Sequence, residues 1–150
     1  MNSINEILDF AIENEEESYS YYLRMSERSN DKVMKEVFLE FAAEEKIHKE
    51  RLIIIKENRY IENNEKIKED LYEEESVTYE DLNPSITLSY RQALTIAIQK
   101  EQASYKLYKM LANNASSTYI KSLFNSLAEE EAKHRNRFQQ EYDNFIVNNN

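Results

Sequence analysis

The sequence contains two copies of a Glu-x-x-His motif, and these copies hold the only two histidines of the chain. The first copy runs from Glu45 to His48 and the second from Glu131 to His134. Because residues three apart share one face of a helix, each motif can direct a carboxylate and an imidazole to the same place. Carboxylate and imidazole ligands without sulfur suit iron or manganese, and zinc can substitute for either. The two motifs therefore indicate metal binding.

A further glutamate precedes each motif by thirty residues, in a run that reads Ala-Ile-x-x-Glu-x-x-Ser-Tyr. These glutamates are Glu15 and Glu101, and apolar residues at helical spacing place them on buried helix faces. Tyr22 and Tyr108 follow two helical turns later on the same faces. Two roles are open for these tyrosines: ordinary core packing, or donation of hydrogen bonds that orient ligand carboxylates.

The composition predicts that long helices carry these residues. The chain of 150 residues has no glycine and one proline, whereas the turns and bulges of β-rich folds usually need glycine. Apolar periodicity and capping-box pairs, Ser3 with Glu6 and Ser89 with Gln92, mark helix starts. The predicted helices span about residues 3–28, 31–59, 88–113 and 117–147 of one domain that covers residues 1–150.

A shift of 86 positions lays the second half of the sequence over the first without a gap. Fourteen of the forty-five residue pairs that start from positions 8–52 are identical. Repeats of this length usually signal a duplicated supersecondary unit. Here the unit is a helical hairpin with a short connection, and residues 60–88 would carry the chain across the bundle. The sequence therefore predicts an all-α four-helix bundle made of two duplicated hairpins joined by a long crossover.

Such a bundle can bring together one glutamate from each of two helices and a Glu-x-x-His motif from each of the other two, an arrangement that holds two metal ions. The six predicted ligands are Glu15, Glu45, His48, Glu101, Glu131 and His134. Four carboxylates balance the charge of two divalent cations. The alternative is a core without metal, which would bury four acids and two imidazoles at a cost of several kcal/mol for each uncompensated charge.

Several other classes of protein conflict with the composition. The net charge of −10 opposes binding to nucleic acids and to anionic membranes. The absence of cysteine excludes disulfides, thiolate metal sites and cysteine nucleophiles. The first ten residues lack the layout of a signal peptide, and the longest apolar run, residues 52–55, is far shorter than the roughly 20 residues of a membrane span. We expect a cytoplasmic protein with no nucleic-acid or membrane partner.

The motifs resemble those of the rubrerythrin branch of the ferritin-like family, over residues 3–146. The matching segments are Ala11-Ile12-x-x-Glu15 with Tyr22, Ala42-x-x-Glu45-x-x-His48, Ala97-Ile98-x-x-Glu101 with Tyr108, and Ala128-x-x-Glu131-x-x-His134. The resemblance implies a ferritin-like bundle with two iron ions, which Glu45 and Glu131 would bridge. Each ion would be completed by one further pair of ligands, Glu15 with His48 or Glu101 with His134.

Two departures from the family pattern bear on the activity. Rubrerythrins carry a rubredoxin domain with a four-cysteine iron site, whereas this sequence has no cysteine, so the resemblance implies a separate electron-donor protein. They also carry an extra glutamate three residues after the third-helix ligand, where this chain has Ser104. The implied function is reduction of hydrogen peroxide or dioxygen at a di-iron centre. The alternatives are a ferroxidase or iron-handling protein and a non-enzymatic metal-binding bundle. Because family members are often dimers, a homodimer is a further possibility.

Overall fold

The computed structural model describes residues 3–58 and 88–148, which form four α-helices. These are α1 (Ile4–Arg28), α2 (Lys32–Glu57), α3 (Tyr90–Asn114) and α4 (Thr118–Asn148). The all-α four-helix prediction is confirmed, and each helix begins and ends within two residues of the bounds expected from the sequence. The predicted crossover lies almost entirely outside the described residues.

Side chains at the helix starts satisfy backbone N–H groups that have no partner within the helix. The Ser3 hydroxyl accepts a hydrogen bond from the backbone N–H of Glu6 at 3.1 Å. Before α3, the Ser89 hydroxyl accepts from the N–H of Gln92 at 3.1 Å, and the Gln92 side chain accepts from the N–H of Ser89 at 2.9 Å. This reciprocal pair is the predicted capping box. Caps of this kind contribute about 1 kcal/mol each.

The helices pair as two antiparallel hairpins. Only residues 29–31 separate α1 from α2, and residues 115–117 separate α3 from α4, so each helix must fold back on its predecessor. Accordingly, α1 packs against α2, α3 packs against α4, and α1 also lies beside α3. None of the described helices is long and apolar enough to cross a membrane.

Two apolar clusters fill the bundle, one toward each end. The first is mainly aliphatic and includes Ile4, Ile7, Leu8, Leu52, Ile55, Leu107, Leu111, Ile120, Phe124 and Leu127. The second is rich in aromatic rings and includes Tyr21, Tyr22, Met25, Met34, Phe38, Phe41, Leu94 and Phe138. The buried glutamates and histidines lie between these clusters along every helix. The two clusters therefore hold a polar layer in the middle of the bundle.

Candidate metal centre

The six ligands predicted from the sequence meet in this middle layer, and none of them is more than 3% exposed. They form two overlapping groups, Glu15, Glu45, His48 and Glu131, and Glu45, Glu101, Glu131 and His134. In each group, one possible ligand atom from every residue lies within 4.8 Å of all the others. Glu45 and Glu131 belong to both groups. These two carboxylates could therefore be shared by two metal ions, whereas each of the other four residues belongs to one group.

Each imidazole presents its Nδ1 atom to the glutamates. His48 Nδ1 lies 2.7 Å from Glu131 Oε1, 3.3 Å from Glu45 Oε1 and 3.7 Å from Glu15 Oε2. His134 Nδ1 lies 3.4 Å from Glu45 Oε1 and 3.5 Å from an oxygen of Glu101. The helical register explains this arrangement, because residues three apart on α2 and on α4 point to the same side. The neighbouring helix of the same hairpin adds Glu15 or Glu101, and the opposite hairpin adds Glu131 or Glu45.

The outer nitrogen of each imidazole is held by a carboxylate that the sequence analysis missed. His48 Nε2 donates a hydrogen bond to Glu130, and His134 Nε2 donates one to Glu44. Such bonds fix the tautomer and the ring orientation of a metal-binding histidine. A signal was present in the sequence, because each glutamate directly precedes the first residue of a Glu-x-x-His motif and the two are identical across the 86-residue shift.

The two tyrosines bind ligand carboxylates of the opposite hairpin. The Tyr22 hydroxyl donates a hydrogen bond to Glu101, and the Tyr108 hydroxyl donates one to Glu15. Tyr22 shares the buried face of α1 with Glu15, and its hydroxyl reaches across to Glu101 on α3. Burial and the charge of Glu101 raise the pKa of Tyr22 well above its ordinary value, so the hydroxyl keeps its proton and remains a donor.

The pKa values of the buried carboxyls and imidazoles show how the charges of the layer are balanced without metal. Burial alone would lower the pKa of His48, but the hydrogen bond with Glu130 and the nearby carboxylates of Glu15 and Glu45 raise it to about 12. Burial and the charge of Glu45 raise the pKa of the Glu15 carboxyl to about 8. Burial and neighbouring carboxylates also raise the pKa of Glu131. Protons on the imidazoles and on some carboxyls therefore balance the negative charge of the other carboxylates. Two divalent ions would balance the same charge, so metal binding must displace these protons.

Several buried polar atoms in this layer have no hydrogen-bond partner among the described residues. They are both carboxylate oxygens of Glu45, one oxygen each of Glu15, Glu101 and Glu131, and Nδ1 of His134. A buried polar atom without a partner is costly and calls for an explanation such as an ion. Five oxygens and one nitrogen from both hairpins converge here, and oxygen with imidazole nitrogen suits iron or manganese. The residues therefore fit a pair of divalent metal ions.

The surroundings of the layer differ between the two repeats. The Phe41 ring stacks on His134 with ring centroids 3.9 Å apart, whereas the residue 86 positions after Phe41 is Leu127. Ser104, at the position of the family's extra glutamate, is 5% exposed. Its repeat partner Ser18 is 3% exposed. Neither repeat therefore offers a seventh carboxylate next to the six ligands at these positions.

Lys100 is a buried residue that the sequence analysis missed. It directly precedes Glu101 on α3, is 4% exposed, and places its Nζ 5.4 Å from the centroid of the Tyr21 ring. Burial lowers the pKa of Lys100 to about 7. The residue at the same position of the first repeat is Asn14, so this buried amine also distinguishes the two halves. No feature of the apolar pattern marks position 100 as buried.

Comparisons with known proteins agree with this architecture. The chain is similar in structure to a Thermotoga maritima protein described as a ferritin-like diiron-carboxylate protein, with a TM-score of 0.83 and 24% sequence identity. The alignment covers 94% of this chain and 95% of that one, and it shows a shared ferritin-like fold. A search of curated proteins found no match. The profile of the rubrerythrin family matches residues 6–142, which is most of the chain. The protein therefore belongs to the rubrerythrin family.

Proposed function

We propose that the chain binds two iron ions and reduces hydrogen peroxide or dioxygen, with electrons from a separate donor protein. The observation that carries this proposal is the pair of ligand groups that share Glu45 and Glu131. Two ions that share bridging carboxylates lie close enough to act on one small molecule. Bound iron would supply electrons to the O–O bond of the oxidant.

The protein's own contribution is orientation, charge and exclusion of water. The hydrogen bonds from Tyr22 and Tyr108 hold the carboxylates of Glu101 and Glu15, which would otherwise be free to rotate. Both tyrosines are at most 1% exposed, so these hydrogen bonds are shielded from water. Reduction of peroxide to water consumes two electrons and two protons. With no cysteine in the sequence to hold a thiolate iron site, the electrons are expected to come from another protein.

Ferroxidase activity is the second candidate, because the same ligands could bind Fe(II) as a substrate. The half-exposed carboxylates of Glu44 and Glu130 favour it, since they connect the buried histidines with solvent. In this case iron would be released after oxidation, whereas a peroxidase would retain both ions through many cycles. Retention of iron therefore separates the two functions.

Elemental analysis and stopped-flow spectroscopy test the proposal. We expect two iron ions per chain and an absorption spectrum typical of oxo-bridged diferric iron. The anaerobic Fe(II)-loaded protein is then mixed with one equivalent of hydrogen peroxide or of dioxygen. Faster oxidation by peroxide, with iron retained, supports a peroxidase, and repeated uptake and release of iron supports a ferroxidase. A loaded protein that reacts with neither oxidant would refute the redox function.

A further inference from the structure

Both imidazoles of the middle layer lie on its α2–α4 side. Backbone packing is more extensive between α1 and α2, between α3 and α4, and between α1 and α3 than between α2 and α4. Between α2 and α4 the rings of His48 and His134 face each other, with centroids 6.3 Å apart and planes inclined by 14°. Each ring also contacts an outer glutamate of the facing helix. This side therefore joins the predicted ligands to side chains that reach solvent.

Two half-exposed carboxylates contact the outer nitrogens of the histidines on this side. The side chains of Glu44 and Glu130 are 43% and 39% exposed, yet each reaches the Nε2 atom of a nearly buried imidazole. Directly behind the imidazoles lie the two carboxylate oxygens of Glu45, which are buried and have no hydrogen-bond partner among the described residues. A path of carboxylate, imidazole and carboxylate thus leads from solvent to the bridging position.

The two halves of this path carry different charges. Arg51 Nη1 lies 3.7 Å from Glu130 Oε2, so an arginine partly neutralises that carboxylate. The repeat partner of Arg51 is Arg137, which instead forms an ion pair with Glu141 at 3.3 Å. Among the described residues, no lysine or arginine forms an ion pair with Glu44. A cation that approaches from solvent therefore meets a stronger negative charge on the Glu44 side.

We infer that divalent cations reach the site between α2 and α4, and that Glu44 and Glu130 are the carboxylates that capture them first. Capture by Glu44 is the faster of the two, because no arginine competes with the cation there. A half-exposed carboxylate can bind a hydrated cation before it sheds its water and can then return to the imidazole. This inference rests on the proposed metal site and adds the route by which that site is filled.

Stopped-flow binding of Co²⁺ to the metal-free protein tests the route, because Co²⁺ absorption changes when carboxylate and imidazole replace water. Glu44→Gln should lower the association rate constant by about tenfold and Glu130→Gln by about threefold, within the range of electrostatic effects on association. Arg51→Gln should raise the rate by about twofold for the same reason. The matched control is Glu129→Gln, which removes one exposed charge of α4 beside Glu130 and should change the rate by less than about twofold.

Dissociation rates separate capture from simple support of the histidines. If Glu44 only oriented His134, its loss would speed release of Co²⁺ to a chelator and leave the association rate unchanged, which would overturn the route. Equal association rates for Glu44→Gln and Glu129→Gln would overturn it as well. Circular dichroism of each metal-free variant verifies that the bundle is folded. If the unmodified protein binds no Co²⁺ at all, the proposed metal site itself fails, and this outcome is distinct from a wrong route.

Discussion

Replacement of Glu45 by glutamine should affect twice as many metal ions as replacement of Glu15. Glu45 belongs to both ligand groups, whereas Glu15 belongs to one. Glutamine keeps the size of the side chain and removes the charge that both ions share. We therefore expect Glu45→Gln to lose binding of two ions and Glu15→Gln to retain one, at the group that contains Glu101 and His134.

The expected effect on stability follows from the two groups. At a free metal concentration about 100 times the dissociation constant, one bound ion stabilises a folded protein by about 2.7 kcal/mol, and two ions by about 5 kcal/mol. For a chain of this size 1 kcal/mol raises Tm by roughly 2–4 °C. Metal should therefore raise the Tm of the unmodified protein by about 10–20 °C, that of Glu15→Gln by about half as much, and that of Glu45→Gln hardly at all.

Differential scanning calorimetry with and without metal measures these increments, and elemental analysis of dialysed samples gives the number of ions. Each variant is compared with its own metal-free form, so any effect of the substitution on the metal-free bundle cancels. Glu129→Gln serves as the control, since this exposed glutamate lies outside both ligand groups. Full occupancy by two ions in Glu45→Gln, or loss of both ions in Glu15→Gln, would show that the bridging assignment is wrong.

Three further predictions concern pH, the tyrosines and the helix caps. In the metal-free protein the pKa of His48 is raised to about 12 and that of His134 is raised as well, so both bind protons more tightly when folded. Their contribution to stability is complete below pH 6.5 and is lost as pH rises toward 12, at about 1.4 kcal/mol per histidine and pH unit. Urea unfolding in the presence of chelator should therefore show a free energy of unfolding that falls between pH 6.5 and 8. Metal affinity should rise over the same range, because binding displaces these protons. A free energy of unfolding that rises between pH 6.5 and 8 would contradict the raised pKa values of the histidines. Tyr22→Phe should lower the affinity for the ion at Glu101, and Tyr108→Phe should lower the affinity for the ion at Glu15. In Co²⁺ titrations each loss should be about 10–100-fold, as for other residues that hydrogen-bond to metal ligands. Equal weakening of both ions by either variant would show that the hydroxyls do not act on separate ligands. Ser89→Ala removes the cap of α3 and should lower stability by about 1 kcal/mol, or Tm by roughly 2–4 °C, with the number of bound ions unchanged. A change in metal content in this variant would mean that the start of α3 is coupled to the site.

The sequence predicted the helices and the ligand cluster because both depend on local pattern and duplication. Ser89 and Gln92 mark the start of α3 through chemistry that lies within four residues. The two Glu-x-x-His motifs and their upstream glutamates share a register, so a bundle with twofold symmetry must bring them together. No tertiary information is needed for either result.

Residues whose role depends on the opposite hairpin could not be predicted in this way. Glu44 and Glu130 are two among 29 acidic residues, and only the packing of α2 beside α4 shows that they reach the histidines. Tyr22 lies on the same helix as Glu15, but its length carries the hydroxyl to α3. Lys100 carries a charge that predicts exposure to solvent, and its burial beside the ring of Tyr21 on the opposite hairpin is visible only in the tertiary structure.

The bonds that cross between the hairpins have a consequence for how such a protein could arise. Two kinds of crossing bond occur twice with the roles of the hairpins exchanged: Tyr22 to Glu101 and Tyr108 to Glu15, and His48 to Glu130 and His134 to Glu44. A single hairpin paired with an identical copy of itself would form the same bonds and assemble the same six ligands. The fold is thus that of a symmetric dimer whose two subunits have been joined into one chain. Once joined, the halves could diverge at positions such as Lys100, which identical subunits could not do.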